Sequence, residues 1–364
     1  MSNTELPIKN NKLTVKAITY SWYYNPLALK EIEIPVVPNT IVKPTELLVK
    51  VHATSINPVD CIFKGFSYGF INPKNKIIGG DFSGVVVKAG PETNFKVGDK
   101  IYGDVLTFTG RGSSSEYILF EPSKAIICEK IPEGIKFEEA ASLPIVSGTA
   151  YQCLKSYGGD LTGKNVLVLG AGTSVGTYSV QLAKKYFGAK NVVATCSSKS
   201  AEKTKKNGAD IVVDYTKNSK INELLEFVKV NGKFDIVVDT VRDESVFDYF
   251  NALLKPVSEN GILTQVKGSY TIDYSNLKLS QFLPSLKKLT NSINFKLGRS
   301  PYFVTDILLE SNKGYGDAIN KLWTEGKLNI SMDSIKNAYT DYQEAYDRVA
   351  SGKASGKVVM KFVQ

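Results

Sequence analysis

The sequence predicts an α/β protein in which a doubly wound parallel sheet interrupts a smaller β domain. Three observations carry that expectation. Residues 13–145 read as short strands separated by turn residues, apolar strands alternate with Lys/Glu-bearing helices from about residue 160, and the segment GKVVMKFV at 356–363 returns to strand character. A late strand of this kind is placed to pair back into the first domain. The expected boundaries are therefore 1–145 plus 300–364 for the β domain and 146–299 for the inserted one. At 364 residues the chain is long enough for two separate cores.

The first strands are LTVKAITY (13–20), ELLVKVHAT (46–54), FSGVVVKAG (82–90), KIYGDV (100–105) and EYILF (116–120). Pro44, Pro58, Gly79-Gly80, Gly90-Pro91 and Gly98-Asp99 punctuate them. The second set is VLVLG (166–170), VVAT (192–195), IVVDY (211–215), FDIVVDT (234–240) and ILTQV (262–266), with Gly208 and Gly232 as helix stops. Continuous apolar strands between amphipathic helices imply a parallel sheet covered on both faces. Beyond 270 the sequence is polar and Lys-rich to about 291, and INFKLG (293–298) reads as a short strand. Helices are expected at 307–328 and 341–352 before the closing strand.

Composition narrows the function. Hydrophobic content of 43% and charge of 22% are those of an ordinary globular protein. No run of 18 uncharged apolar residues predicts a membrane span. The first 20 residues lack an apolar signal core and contain no Arg, so a cytoplasmic location is expected, with attachment to an organelle surface left open. The net charge of +9 invites a nucleic-acid reading. Only Arg111, Arg242, Arg299 and Arg348 among the 45 basic residues carry a guanidinium, and the lysines are dispersed, which argues against nucleic acid.

Cys61, Cys128, Cys153 and Cys196 form no C-x-x-C pair, so neither a disulfide framework nor a Cys-rich zinc site is expected. The single histidine, His52, excludes a two-histidine metal site, and no G-x-S-x-G elbow accompanies it. By strand alternation Leu48, Lys50, His52 and Thr54 share one face, read as solvent-facing.

The stretch VLVLGAGTSVG (166–176) carries the strongest motif. A dinucleotide turn must bend tightly after a strand, approach a pyrophosphate closely and open a helix whose amides face the anion. Gly170 and Gly172 supply bend and clearance, and Thr173 and Ser174 add hydroxyls. Gly176 begins the face Gly176, Val180, Ala183 and Phe187, which is small where helix and strand cross. The expected pyrophosphate contacts are Gly170, Gly172, Thr173, Ser174, Val175 and Gly176, with the Thr173 hydroxyl bonding the anion rather than crowding it. After the next strand the chain reads Thr195-Cys-Ser-Ser-Lys199, with no acid before Glu202. An acid there would grip a ribose 2′-hydroxyl; Ser197, Ser198 and Lys199 suit a 2′-phosphate, which favours NADPH.

The pieces VHATSINPVD (51–60), IIGGDFSGVV (77–86), VGDKIYG (97–103), SSSEY (113–117), ASLPIVSGTAYQCL (141–154), the nucleotide turn and GKVVMKF, in that order, resemble the medium-chain dehydrogenase/reductase superfamily. The likeness is to its zinc-independent, quinone oxidoreductase-like (zeta-crystallin-like) branch. It implies a GroES-like β domain plus a doubly wound Rossmann-type domain, and a dimer. Zinc enzymes of the superfamily place Cys and His-Glu where this chain has Asn57 and Asp81-Phe82, so no catalytic zinc is expected. A metal-free enzyme of this kind passes hydride to an acceptor needing little electrophilic help, such as a quinone or an α,β-unsaturated carbonyl.

The resemblance places Asn57 and Asp60 at the mouth of the nicotinamide pocket and Thr149 beside the ring. Tyr215 joins Lys199 at the 2′-phosphate. Asp239, Thr240 and Val266 lie along the ribose and nicotinamide amide, and Lys353 near the cofactor. Enoyl thioester reductases of the superfamily carry a tyrosine proton donor after N-P-x-D; Tyr68 stands one position later than that pattern. In the family's register the turn reads Gly170, Thr173, Gly176, with Thr173 in place of the middle glycine. The expected function is therefore metal-free, NADPH-dependent reduction of a quinone or enone. An enoyl thioester reductase and a weakly catalytic nucleotide-binding protein acting through a partner such as RNA are the alternatives.

Overall fold

The computed structural model describes residues 6–67, 75–105, 111–266, 272–274, 277–307, 309–310 and 314–362. The chain divides into two compact units: residues 1–145, 273–277 and 332–364 form one, and 146–272 with 278–331 the other. Residues 300–331, expected with the β domain, lie with the parallel sheet. The reason is Val304–Ile307, which adds a parallel strand beside Ile262–Val266.

The β unit is built on the strand Leu47–Ile56. It pairs antiparallel with Asp81–Ala89, Tyr117–Phe120 and the late strand Lys357–Lys361. Val358 faces Ile56 across the ladder, so residues some 300 positions apart become neighbours. Met332–Asn337 extends the sheet beyond Lys357–Lys361, and Lys100–Asp104 and Cys128–Lys130 extend it on the other side. Leu47, Val49, Ile56, Phe82, Ile101, Val358 and Met360 fill its core. Covering this sheet changes the expectation for His52. Leu48 and Thr54 are fully buried, and the half-buried His52 ring stacks on Phe137 at 4.1 Å. Burial, followed by the Lys50 charge, moves its pKa down.

The second unit contains a six-stranded parallel sheet among the described residues. Its order is Ile211–Asp214, Asn191–Cys196, Asn165–Leu169, Ile236–Asp239, Ile262–Val266, Val304–Ile307. Numbered within the unit this is 3-2-1-4-5-6, the doubly wound arrangement whose order reverses beside the first strand. Asn165–Leu169 is buried along its whole length because helices cover both faces.

INFKLG is not a strand. Leu286–Lys296 forms a helix whose start is capped by the Ser285 hydroxyl, which accepts from Lys288 N. Leu286, Leu289 and Ile293 recur at three- and four-residue spacing, a period the short window from 293 hid. The expected helix at 307–328 is likewise shorter, Tyr315–Thr324, preceded by the edge strand.

Candidate functional site

The nucleotide turn sits where the order of the parallel sheet reverses, the place at which open α/β sheets bind ligands. Gly170 leaves the central strand with φ +80°, and a Cβ there would lie 2.2 Å from Val241 Cγ1. Gly176 packs against the same bend: its Cβ would fall 2.3 Å from the Gly170 carbonyl oxygen. Both positions therefore need glycine on geometry alone. Gly172 is looser, with Ser200 Oγ 3.0 Å from an added Cβ. The strand, turn and helix are pinned from the side by Gly170 N, which donates to Thr195 Oγ1 at 3.1 Å.

Thr173 caps the helix Ser174–Gln181: its hydroxyl accepts from Gly176 N at 2.9 Å. Thr173 Oγ1 also lies 2.9 Å from Thr240 Oγ1, which is within hydrogen-bond distance of the Leu169 and Gly170 carbonyls. Either hydroxyl can be the donor of that contact, so the Thr173 side chain expected to meet a pyrophosphate already has two partners inside the fold. What remains at the helix start are the amides of Ser174 and Val175, which have no hydrogen-bond partner among the described residues. Two unpaired amides at a helix N-terminus fit a phosphate group.

The flank of the site differs from expectation. Ser198 donates its hydroxyl proton to Asp214, the last residue of the neighbouring strand, and Thr216 donates to the same carboxylate through N (2.9 Å) and Oγ1 (2.7 Å). These bonds hold the Asp214 carboxyl down at about 2. Ser197 precedes the helix Ser198–Asn207 without capping it by its side chain. Lys199 is exposed with no partner among the described residues, and Tyr215 is half-exposed, its amide donating to the Cys196 carbonyl. Asp239 is buried and committed: its oxygens accept from Val241 N, Asp243 N and Gln265 Nε2, and burial pushes its pKa up. Val266 ends its strand partly exposed, and Thr149 is buried in the helix Pro144–Lys155.

In the β unit the structure assembles a closed polar cluster around Asp81. Its Oδ2 accepts from Lys357 Nζ (2.8 Å), Asn57 Nδ2 (2.8 Å) and Ser55 Oγ (2.9 Å), and its Oδ1 from Ile145 N (3.0 Å). Lys357 donates also to Asn57 Oδ1. Asp81 is fully buried, Asn57 is 1% exposed and Lys357 3%. Asn57 thus spends both ends of its amide inside the fold. Asp60 opens the helix Pro58–Gly65, accepts from Asn57 N at 2.7 Å, and is pushed up to about 7, chiefly by burial. Lys357 and Asp81 form the ion pair of the cluster. Lys353, the expected basic residue, is instead exposed in the turn before this strand. Tyr68 lies outside the described residues.

These residues do not fit a zinc ion. Where thiolate and imidazole ligands would converge, an ammonium is already paired with the Asp81 carboxylate. Among the described residues, no three His, Cys, Asp or Glu side chains gather as a metal site. Nor is any described helix long and apolar enough to cross a membrane.

Sequence reasoning missed Lys357 and Asp214. The signal for the first was a lysine directly before an apolar run, where a strand turns inward. For the second it was the aspartate of IVVDY, read only as a strand end.

Two family models match the chain: the alcohol dehydrogenase GroES-like domain over residues 43–133 and the zinc-binding dehydrogenase domain over 174–277. "Protein YIM1-2" of Lachancea thermotolerans is 34% identical over 333 residues, covering 88% of this chain and 91% of that protein. "Protein YIM1" of Saccharomyces cerevisiae is 31% identical over 370 residues, 96% and 98% of the two chains. The quinone oxidoreductase from Coxiella burnetii superposes with a TM-score of 0.73 at 24% identity, over 96% of this chain and all of that one. The chain belongs to the medium-chain dehydrogenase/reductase superfamily of oxidoreductases, where it stands with the YIM1 proteins and shares the fold of the quinone oxidoreductases.

Proposed function

We propose that this chain is a metal-free reductase that uses a nicotinamide dinucleotide, with NADPH preferred, to reduce a quinone or an α,β-unsaturated carbonyl. The observation that carries the reading is the turn at the reversal of the 3-2-1-4-5-6 sheet. It combines two glycines that admit no side chain with two unpaired amides at the head of a helix.

In this reading Ser174 and Val175 hold the pyrophosphate through their amides. Gly170, Gly172 and Gly176 keep the backbone close, and Thr173 fixes the helix start. Lys199, with Ser197 and Tyr215, takes the 2′-phosphate. Thr240 and Val266 line the ribose and nicotinamide amide by backbone groups, Thr149 flanks the ring, and Asp239 orients the strand end that carries Thr240. The bound dinucleotide supplies hydride. Among the described residues of the β unit, Lys357, Asp81 and Asn57 satisfy one another and leave no ligand set for zinc, which suits an acceptor that takes hydride without a Lewis acid.

The test is a fluorescence titration with NADPH and NADH in parallel, followed by turnover with a panel of quinones and enones. Micromolar NADPH binding is expected; its absence removes the reading. Lys199→Glu weakens NADPH more than NADH, and equal weakening removes Lys199 from the 2′-phosphate.

A further inference from the structure

Beyond this reading, and resting on it, the atoms around Ser198 bear on which dinucleotide the chain discriminates. Recognition of a 2′-phosphate needs donors and tolerates no unpaired carboxylate nearby. Three groups stand at the ends of the second and third strands: the Lys199 ammonium, the Ser198 hydroxyl and the Asp214 carboxylate. Cys196 and Asp214 are partners at the ends of adjacent parallel strands, and Ser198, which opens the helix after the first of them, bonds the Asp214 carboxylate. Ser198 has one proton and gives it to Asp214 Oδ2. Thr216 directs two further donors at the same carboxylate, which therefore stays ionised throughout the physiological range. Among the described residues, Lys199 and Lys217 are the exposed ammonium groups without a hydrogen-bond partner on this flank, and the charge of Lys217 also acts on Asp214.

We propose that Asp214 is a specificity-determining residue: it withholds the Ser198 hydroxyl from a 2′-phosphate and repels that dianion, holding the NADPH preference conferred by Lys199 to a small factor. The 2′-hydroxyl of NADH meets no such penalty, because a neutral hydroxyl donates to a carboxylate instead of opposing it. Asp214 and Lys199 thus act against each other at one subsite.

The experiment measures NADPH and NADH dissociation constants for the wild type and for Asp214→Asn, Asp214→Ser and Ser198→Ala at low and high salt. The wild type is expected to prefer NADPH by less than about tenfold. Both Asp214 variants raise that preference by about a further tenfold, equivalent to ~1.4 kcal/mol. Their NADH affinity stays within about twofold, which also reports an intact fold. The gain shrinks at 1 M salt, where charges are screened within about 3 Å. Ser198→Ala changes NADPH affinity by less than about twofold, because its hydroxyl is already committed. If both Asp214 variants leave the NADPH-to-NADH ratio unchanged while the wild type binds NADPH, the inference fails and the cofactor reading stands. A loss of NADPH affinity in Ser198→Ala as large as that in Lys199→Glu also overturns it. A wild type that binds neither dinucleotide removes both.

Discussion

Replacing Lys357 by Met tests whether the polar cluster in the β unit is as dry as its geometry requires. The ammonium is 3% exposed and its carboxylate partner fully buried, so water does not replace the lost partner. Removing one member of such a pair costs roughly 3–5 kcal/mol, because the other charge stays buried and uncompensated. Asp81 keeps three donors, from Asn57 Nδ2, Ser55 Oγ and Ile145 N, which places the expected loss near the lower end. At 2–4 °C of Tm per kcal/mol for a unit of this size, the transition drops by roughly 6–12 °C. Thermal unfolding followed by tryptophan fluorescence, with urea titration alongside, measures it. A double variant, Lys357→Met with Asp81→Asn, removes both charges while the single amide oxygen at position 81 keeps an acceptor for Ile145 N. It should recover at least half of the loss. If Lys357→Met alone costs under about 1 kcal/mol, the pair behaves as a hydrated surface bridge and the closed cluster is wrong.

Three further outcomes follow from the same geometry. Asp60 has its carboxyl raised to about 7 in the fold against roughly 3.9 unfolded, so between these values the folded chain holds a proton the unfolded chain has lost; its contribution is present at low pH and disappears as pH climbs to about 7. The stability difference between wild type and Asp60→Asn should therefore shift against the wild type from pH 5 to 7.5, by about 2.5 kcal/mol; a shift in the other direction refutes the buried acid. Thr173→Val removes the helix cap and the link to Thr240, and should cost about 0.5–2 kcal/mol in urea unfolding, with Thr173→Ser nearly neutral. Loss in Thr173→Ser with none in Thr173→Val would show that the methyl, not the hydroxyl, matters. Gly176→Ala drives a methyl into the Gly170 carbonyl and should reduce dinucleotide affinity more than about tenfold; wild-type binding by a folded Gly176→Ala would show that the turn is not tightly packed.

Much of the scaffold was legible because it is written in period and punctuation. The glycines at 170 and 176 answer to backbone space, and the closing strand announced itself by an apolar run far from its partner. What failed depended on which side of an element faces inward. Lys353 and Lys357 both follow a glycine, in the short repeat SGKASGK, and only the pairing of Val358 with Ile56 decides that the second lysine points into the sheet. His52 obeys strand alternation, yet Phe137 comes to lie over its face from a helix 85 residues later in the chain. Thr173 looked free to greet an anion because its second partner, Thr240, comes from the fourth strand of the sheet. The Leu286–Lys296 helix was hidden by a window opened in its middle. Apart from that helix, each difference concerns a contact made across the chain, which local pattern does not encode.

The position of Lys357–Lys361 in the sheet has a consequence for biosynthesis. The ribosome emits the strand Leu47–Ile56 early, but the strand that covers its flank and neutralises Asp81 emerges only after the whole parallel-sheet unit. At about 5–20 residues per second, the interval from residue 145 to residue 357 lasts roughly 10–40 s. Throughout it the nascent β unit carries a vacant sheet edge and a carboxylate without its counter-charge. The parallel-sheet unit can fold as a self-contained body in that time, whereas the β unit must wait.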